Sequence, residues 1–199
     1  MFDCIEKVVY INLENRQDRK KTIEKELLKY FPAEKIQRFN AIKHDRGEIG
    51  CTKSHIAVLE MAIQQNWKNI LVVEDDAIWS NFDKGYPVYE TLIKNPYDVI
   101  TFGIASAKYN NSTYKLLSGQ TTTAYLVKND YYKTLLQNFE EGLGHFLTIA
   151  NGDRYAIDQY WKILQEKDNW FCVLPSLLVQ ASGYSDIQKR NVNYMRHFS

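Results

Sequence analysis

The sequence predicts a single α/β domain over residues 1–199, with a mostly parallel central sheet flanked by helices. Stretches of strand and helix character alternate along the chain, as they do where helical crossovers join parallel strands. The apolar strand stretches are continuous, which is typical of strands buried on both faces. The chain has 199 residues, of which 45% are hydrophobic and 25% charged, so it is long enough for a substantial core and ordinary in composition.

Charge and cysteine content exclude several classes of protein. A formal net charge of +1 is not that of a general nucleic-acid-binding protein. Cys4, Cys51 and Cys172 are widely spaced, form neither a disulfide framework nor a zinc pattern, and fit a reducing compartment. Because no signal peptide and no apolar run of about 20 residues is visible, we expect a cytoplasmic protein with no transmembrane segment and only peripheral membrane contact.

The first strand is predicted over residues 7–13, and a polar segment with Arg16 and Arg19 follows it. A helical pattern then continues to about Tyr30, where Pro32 stops it. Two arginines just past a strand suit a phosphate or a carboxylate, since the guanidinium group binds such anions through two parallel hydrogen bonds. An equally simple interpretation is a solvated first helical turn.

A second short strand is predicted over 36–42, and residues 46–55, with two glycines, predict a loop that enters a helix. Thr52 or Ser54 would cap this helix, and free backbone N–H groups at such an end attract anions. His55 is then either a functional residue or simply a residue after the cap. The apolar face of the helix would consist of Ile56, Leu59, Ala62 and Ile63.

The central feature is the stretch 70–77, in which an apolar run leads directly into Glu74, Asp75 and Asp76. Carboxylates at the carboxyl end of such a strand lie where open α/β sheets bind ligands. Their repulsion requires a counter-charge, most simply a divalent cation. One alternative is a strand end before a helix start. Another is a phospho-receiver domain, but residues 117–123 contain no aspartate for phosphorylation.

The second half of the chain continues the alternation of strands and helices. We predict a helix over 81–93, either continuous or broken at Pro87, and then strands over 96–103 and 121–127 with a polar loop at 104–118 between them. Further predicted elements are a helix over 130–139 closed by Gly142 and Gly144, a helix after 152–161 that ends near Lys167, a short strand over 171–175, and a polar tail over 182–199.

Asp158 is the best candidate for a catalytic base. A third interpretation of the acidic triplet is a nucleotide-sugar site, in which a cation bridges the phosphates of the sugar diphosphate. Transfer of the sugar with inversion would then need a carboxylate, separate from the metal, that takes the proton of the acceptor hydroxyl. Asp158 lies far downstream of the acidic triplet and begins a helix in which Tyr160 and Trp161 would stack on a sugar face. The alternative is that Asp158 is a helix cap.

Six segments, in order, resemble the motifs of glycosyltransferase family 25. The family contains bacterial lipooligosaccharide galactosyltransferases and collagen-type galactosyltransferases. The resemblance implies a GT-A-type, Rossmann-like nucleotide-sugar-binding domain, an inverting mechanism, UDP-galactose as the usual donor and Mn²⁺ dependence. The segments are residues 9–13 with Arg16 and Arg19, 50–55, 71–76, 123–127, 157–158 and 185–187.

Carried over residue by residue, the resemblance implies specific roles. Asp158 would be the base, and Asp76 the favoured metal ligand, with Asp75 and His197 as further ligands and Asp186 as a competitor for the place of His197. The nucleotide sugar would contact Asn12, Arg16, Arg19, Lys53, Ser54, His55, Glu74 and Asp75.

The sequence therefore predicts an inverting glycosyltransferase that moves a hexose, with galactose expected, from a UDP-sugar to a hydroxyl of a saccharide or hydroxylated peptide. Lipopolysaccharide biosynthesis and protein glycosylation are the processes that the family implies. The alternative is a catalytically silent nucleotide-sugar-binding module of a larger glycosylation complex. The chain is short for the family, so the acceptor stays open.

Overall fold

The computed structural model describes residues 1–149, 152–187 and 189–193. The strands are β1 (Lys7–Asn12), β2 (Ile36–Asn40), β3 (Asn69–Glu74), β4 (Ala77–Trp79), β5 (Val99–Tyr109), β6 (Leu116–Lys128), β7 (Trp170–Cys172), β8 (Leu178–Gln180), β9 (Gly183–Ser185) and β10 (Arg190–Val192). The α-helices are α1 (Gln17–Leu27), α2 (Gly47–Gln64), α3 (Phe82–Leu92), α4 (Asn129–Thr148), α5 (Ile157–Tyr160) and α6 (Lys162–Lys167). Short 3₁₀ turns lie at Ala33–Lys35 and Gly152–Tyr155.

The central sheet has six strands in the order β2-β1-β3-β6-β5-β7. β1 pairs in parallel with both β2 and β3, and β5 pairs in parallel with β7. β6 is antiparallel to its neighbours β3 and β5, so five strands run in one direction and β6 runs against them. The predicted α/β class and mostly parallel sheet are confirmed.

Both faces of the sheet are covered, which explains the continuous apolar runs. On β3, Ile70 and Val72 belong to the core cluster under α2 and α4, whereas Leu71 and Val73 belong to the cluster under α1 and α3. Successive side chains of a strand point to opposite faces, so a strand buried on both sides has no polar position to alternate with.

The predicted loop at residues 46–55 is wrong, because α2 already begins at Gly47. The hydroxyls of Thr52 and Ser54 do not cap a helix end; they donate to carbonyls one turn earlier, those of Glu48 and Gly50. Gly50 is needed for close packing: a Cβ there would lie 2.5 Å from the Ile42 carbonyl oxygen. The glycine that indicated a loop therefore lets a helix approach a neighbouring backbone.

Two further breaks, predicted from polar residues and from glycine, are also wrong, and of the two alternatives at 81–93 the structure has the continuous helix. The polar segment 104–118 is mostly strand, because β5 continues to Tyr109 and β6 begins at Leu116. α4 passes through Gly142 and Gly144, and α3 contains Pro87 in its interior. In each case tertiary packing outweighs the local preference.

The last described strands, one just before the predicted polar tail and two within it, bring the chain back to the end of β3. β8 pairs antiparallel with β4, and the register places Gln180 opposite Ala77. β9 and β10 form a separate antiparallel pair. The carboxyl ends of β1 and β3 are therefore contacted by a segment far downstream in sequence: Gln180 is 106 positions after Glu74, and Asp186 is 170 positions after Arg16.

None of the helices in the described part of the chain is long and apolar enough to span a membrane.

Candidate active site

The acidic triplet lies at the carboxyl end of β3 and divides between the two faces of the sheet. Glu74 is the last residue of β3, and Asp75 and Asp76 form the turn to β4. Glu74 contacts side chains of α2 and β6, whereas Asp75 contacts β1 and α1. The three carboxylates thus have different neighbours and different chemistry.

Asp75 uses both of its oxygens within the protein. Its Oδ2 accepts a hydrogen bond from Asn12 Nδ2 at 2.8 Å, and its Oδ1 accepts one from Arg19 Nη1 at 2.8 Å. Burial raises the pKa of Asp75, while the charge of Arg19 and the hydrogen bond from Asn12 act against that increase. Asp75 is therefore suited to fixing Arg19 at the sheet edge.

Asp76 has an oxygen that none of the described residues satisfies. Its Oδ2 lies 3.3 Å from Arg19 Nη1, but its buried Oδ1 has no hydrogen-bond partner among the described residues. Burial, followed by the charge of Glu74, raises the pKa of Asp76 to about 7. A buried, unpaired carboxylate oxygen fits a hard divalent cation such as Mn²⁺, because such ions prefer oxygen ligands and supply the missing positive charge.

Glu74 is held firmly on the other face. Its Oε1 accepts a hydrogen bond from Thr122 Oγ1 at 2.5 Å, and its Oε2 accepts one from Gln180 Nε2 at 2.9 Å. Burial acts to raise its pKa, but the neighbouring His55 imidazole and the hydrogen bonds from Thr122 and Gln180 lower it overall. Glu74 is thus a fixed negative charge beside Asp76.

His55 is buried beside Glu74. Its Nδ1 shares a hydrogen bond of 2.9 Å with the Tyr125 hydroxyl, and its Nε2 lies 3.8 Å from Glu74 Oε1. The structure therefore brings His55, predicted from the sequence, to the end of β3.

The two arginines after β1 are both tied to the C-terminal segment. Arg16 forms ion pairs with Asp18, at 2.8 Å, and with Asp186. Arg19 Nη2 donates to the Tyr184 carbonyl oxygen at 2.7 Å. Asp186, which the sequence left open as a metal ligand, lies against an arginine instead. Hydrogen bonding to Asp18 is the largest of the effects that raise the pKa of Arg16, so this group stays charged.

Asp158 lies in the first turn of α5, next to a strained part of β6. Its Oδ2 accepts a hydrogen bond from the Thr121 backbone N–H at 3.0 Å, and its Oδ1 accepts one from Gln159 Nε2 at 3.2 Å. Thr121 has φ 72°, a left-handed conformation that β-branched residues rarely adopt. Burial raises the pKa of Asp158, and the charge of Glu74 adds to this effect.

The two aromatic residues after Asp158 differ in exposure. Trp161 is fully buried in the core, and its Nε1 donates to the Gly119 carbonyl oxygen at 3.2 Å. The expectation that Trp161 stacks on a sugar is therefore wrong, because its ring is covered by protein on all sides. Tyr160 is half-buried and packs beside Gly142 of α4.

Two predicted binding residues lie apart from this cluster. Lys53 lines a surface cavity between α2 and α4, together with Glu60 and Leu147. Ser54 is buried and its hydroxyl accepts a hydrogen bond from the Ile42 backbone N–H at 2.8 Å, which holds the segment after β2 against α2. His197 lies outside the described residues.

Sequence reasoning missed several residues that shape the site. Gln180 comes from a three-residue strand just before the polar tail, and no strand was predicted there because so short an element leaves little local signal. Thr122 and Tyr125 lie in the strand that was predicted from its β-propensity, but their contacts to Glu74 and His55 depend on the pairing of β3 with β6.

Solved structures define the class of fold. The chain is similar to a glycosyltransferase involved in the glycosylation of the major capsid of PBCV-1, with 11% sequence identity over 92% of this chain and 95% of that one and a TM-score of 0.56. It is also similar to mannose-1-phosphate geranyltransferase from Thermus thermophilus, with 8% identity, 85% and 73% coverage and a TM-score of 0.50. The fold is that of GT-A-like glycosyltransferases and nucleotidyltransferases.

The family match comes from the sequence. Residues 45–96, which include α2 and the acidic triplet, match the family model described as glycosyltransferase family 25 (LPS biosynthesis protein). The predicted resemblance to this family is confirmed over that segment. No curated protein matches the chain. Fold and family match together support a glycosyl- or nucleotidyl-transferase.

Proposed function

We propose that residues 1–199 form one inverting glycosyltransferase domain, which transfers a hexose from a UDP-sugar to a hydroxyl group with the help of a divalent cation. The observation that carries this proposal is the buried Oδ1 of Asp76, which lies near Arg19 at the carboxyl end of the sheet and has no hydrogen-bond partner in the described part of the chain. A divalent cation that binds together with a nucleotide diphosphate would supply the positive charge that Asp76 lacks.

The donor side of the site is built from Arg16, Arg19 and Asp76. Mn²⁺ held by Asp76 would neutralise the charge that develops on the leaving nucleotide diphosphate. Arg19 is held by Asp75, which in turn is held by Asn12, so its guanidinium group is oriented before any ligand binds. Because this orientation needs no rearrangement, it favours the transition state.

The acceptor side is assigned to Asp158. Its raised pKa makes this carboxylate a better proton acceptor than an exposed aspartate, so it suits removal of the acceptor hydroxyl proton. The Thr121 N–H and the Gln159 amide hold both oxygens and orient the group. UDP-galactose as donor and a saccharide or hydroxylated peptide as acceptor follow from the family resemblance and belong to the same proposal, as do roles in lipopolysaccharide biosynthesis or protein glycosylation.

Product formation tests the proposal. The purified chain is incubated with UDP-galactose or UDP-glucose, with Mn²⁺ or EDTA, on an array of saccharides and hydroxylated peptides. We expect transfer that requires Mn²⁺ and falls at least 100-fold in Asp76→Ala, on the order of the effect of losing one electrostatic catalytic group. Asp158→Asn should bind UDP normally and lose transfer. The matched control is Asp130→Ala, an exposed aspartate in the first turn of α4. Undiminished transfer in Asp76→Ala contradicts the metal assignment.

A silent nucleotide-sugar-binding module is the second candidate function. The observation that favours it is that both donor-side arginines already have partners in the protein. Arg16 pairs with Asp186, and Arg19 donates to the Tyr184 carbonyl oxygen. A thermal-shift panel of nucleotide sugars separates the candidates when it is combined with the array. Stabilisation by a UDP-sugar without any product on the array supports the module, whereas product supports the enzyme.

A further inference from the structure

Three side chains with metal-binding atoms meet at the end of β3, two from α2 and one, Glu74, from the acidic triplet. Asp76 is not one of them. Cys51 and His55 lie one turn apart on α2, and Glu74 ends β3. One ligand atom from each, the Cys51 Sγ, an imidazole nitrogen and a carboxylate oxygen, lies within 4.8 Å of the other two. Positions i and i+4 share one face of a helix, so both residues of α2 point at the strand end.

The imidazole of His55 supplies an independent indication of a ligand. Only 1% of the residue is exposed, yet its Nε2 has no hydrogen-bond partner among the described residues. A buried polar atom without a hydrogen-bond partner destabilises the fold, so such atoms are uncommon in folded proteins. The nearest carboxylate oxygen, Glu74 Oε1, is 3.8 Å away, beyond hydrogen-bond distance. An ion between the two atoms would give His55 Nε2 the partner it lacks and would add a second interaction to the Glu74 oxygen.

The groups around the cluster are arranged as in metal centres. Metal-binding imidazoles usually bond through their second nitrogen to a fixed partner, and metal-binding carboxylates are themselves hydrogen-bonded. Here Tyr125 OH bonds the second nitrogen of His55, and Thr122 and Gln180 hold Glu74. Each of these two ligands is therefore oriented by a neighbour that is not itself a ligand.

The three types of ligand atom indicate which metal ion the cluster would bind. Sulfur, nitrogen and oxygen ligands in a tetrahedron are typical of Zn²⁺, whereas the oxygen ligands at Asp76 suit Mn²⁺. With bond lengths of about 2.0–2.3 Å, tetrahedral ligand atoms are about 3.3–3.6 Å apart, so the 3.8 Å between His55 and Glu74 needs only a small contraction. A Cys51 thiolate and the Glu74 carboxylate also balance the charge of a dication.

We propose that Cys51, His55 and Glu74 form a binding site for Zn²⁺, with a fourth position open to water or an added ligand. The site joins α2 to the end of β3 and is separate from the cation position at Asp76. It rests on the geometry of these residues and does not depend on the proposed transferase activity.

Cobalt binding to the intact chain tests the proposal. Metal-free protein is titrated with Co²⁺, and the near-ultraviolet thiolate-to-cobalt charge-transfer band is followed. Zn²⁺ is then added to displace the Co²⁺, and competition with a chromophoric chelator measures the affinity for Zn²⁺. We expect one equivalent of Co²⁺ with this band and its loss on addition of Zn²⁺. Absence of the band from the wild-type protein overturns the proposal.

Variants separate this site from other metal ligands. Cys51→Ser should lose the band and bind Zn²⁺ at least about tenfold more weakly, while Cys4→Ser, at an exposed cysteine, should keep both. Tyr125→Phe keeps the ring and should weaken Zn²⁺ binding about 10–100-fold. Asp76→Asn should leave the band unchanged. Circular dichroism confirms that each variant is folded. A band that survives in Cys51→Ser, or disappears in Asp76→Asn, contradicts the assignment.

Discussion

At the scale of single residues, the three carboxylates of the triplet differ in how many of their oxygens the protein satisfies. Asp75 and Glu74 each have both oxygens hydrogen-bonded, whereas Asp76 has a buried oxygen without a partner among the described residues. A carboxylate oxygen without a protein partner can bind a cation, which then supplies the missing positive charge. This difference selects Asp76 as the proposed cation ligand, as the sequence had suggested.

Arg19 should stabilise the fold as well as the proposed donor site. It is a cation that faces both Asp75 and Asp76, and its side chain is only 18% exposed. Removing one member of a buried ion pair leaves the other charge uncompensated, so we expect Arg19→Gln to lower the free energy of unfolding by about 3 kcal/mol. Urea denaturation without metal measures the change.

The control for this variant is Lys20→Gln, which removes a partly exposed partner of Glu24, 4.0 Å away, and should cost less than about 0.5 kcal/mol. Mn²⁺ should restore part of the stability of Arg19→Gln, since it replaces positive charge at the triplet. Equal stability of the two variants would show that the buried carboxylates are protonated rather than paired.

Asp158 should make the protein less stable as pH increases. Its pKa is raised in the folded state, so ionisation is harder there than in the unfolded chain. This contribution to stability is complete below the ordinary pKa of about 4 and is lost as pH rises through the folded-state pKa. Asp158→Asn should match wild-type stability near pH 4 and exceed it at pH 7, as measured by urea denaturation.

The control is Asp130→Asn, which alters an exposed aspartate. Its stability difference from wild type should not grow with pH in this way. A constant difference for Asp158→Asn across the same range would contradict the assignment of a raised pKa. If Asp158→Asn is more stable than wild type and has lost transfer, the Asp158 carboxylate serves function although it destabilises the fold.

At the scale of elements, glycine was the least reliable indicator of where a helix ends. Gly142 and Gly144 both indicated a helix end, but both lie inside α4. A Cβ at Gly142 would lie 2.9 Å from the Tyr160 ring, whereas a Cβ at Gly144 would meet nothing within 4 Å. Only the first glycine is therefore required by packing.

These two glycines make a matched pair for measurement. Gly144→Ala should raise the free energy of unfolding by about 0.5–1 kcal/mol, because alanine reduces the freedom of the unfolded chain and favours helix. Gly142→Ala should lower it by about 1–3 kcal/mol, because the added methyl group displaces Tyr160. Thermal or urea denaturation gives both values. A gain in both variants would mean that α4 can shift away from α5.

At the scale of the whole molecule, the segment around β9 closes over the first helix. Asp186 pairs with Arg16 although the two residues are 170 positions apart. Since this carboxylate occupies the same guanidinium group as a diphosphate would, we expect Asp186→Asn to bind UDP several-fold more tightly, with the difference shrinking at high salt.

Isothermal titration calorimetry with UDP and Mn²⁺ measures this effect. The control is Asp83→Asn, an exposed aspartate of α3 that should leave UDP affinity unchanged. Weaker UDP binding in Asp186→Asn would reverse the interpretation, because Asp186 would then support the ligand rather than compete with it.

The α/β class, the first three strands of the sheet and the position of the acidic triplet were predictable from the sequence. Each depends on a run of neighbouring residues: four apolar residues before Glu74 are enough to indicate a doubly buried strand and its carboxyl end. Residues 104–118 were harder, because a polar hairpin and a polar loop have similar composition and differ only in pairing.

By itself, the sequence determined where the carboxylates lie and that they need a counter-charge, because burial and repulsion follow from local patterns. Only the tertiary structure decided that Arg19 faces Asp75 and Asp76, that Glu74 turns towards His55 and Cys51, and that Lys53 points elsewhere. Those pairings join segments far apart in the chain. They depend on strand order and on which face each side chain occupies, and neither is encoded by adjacent residues.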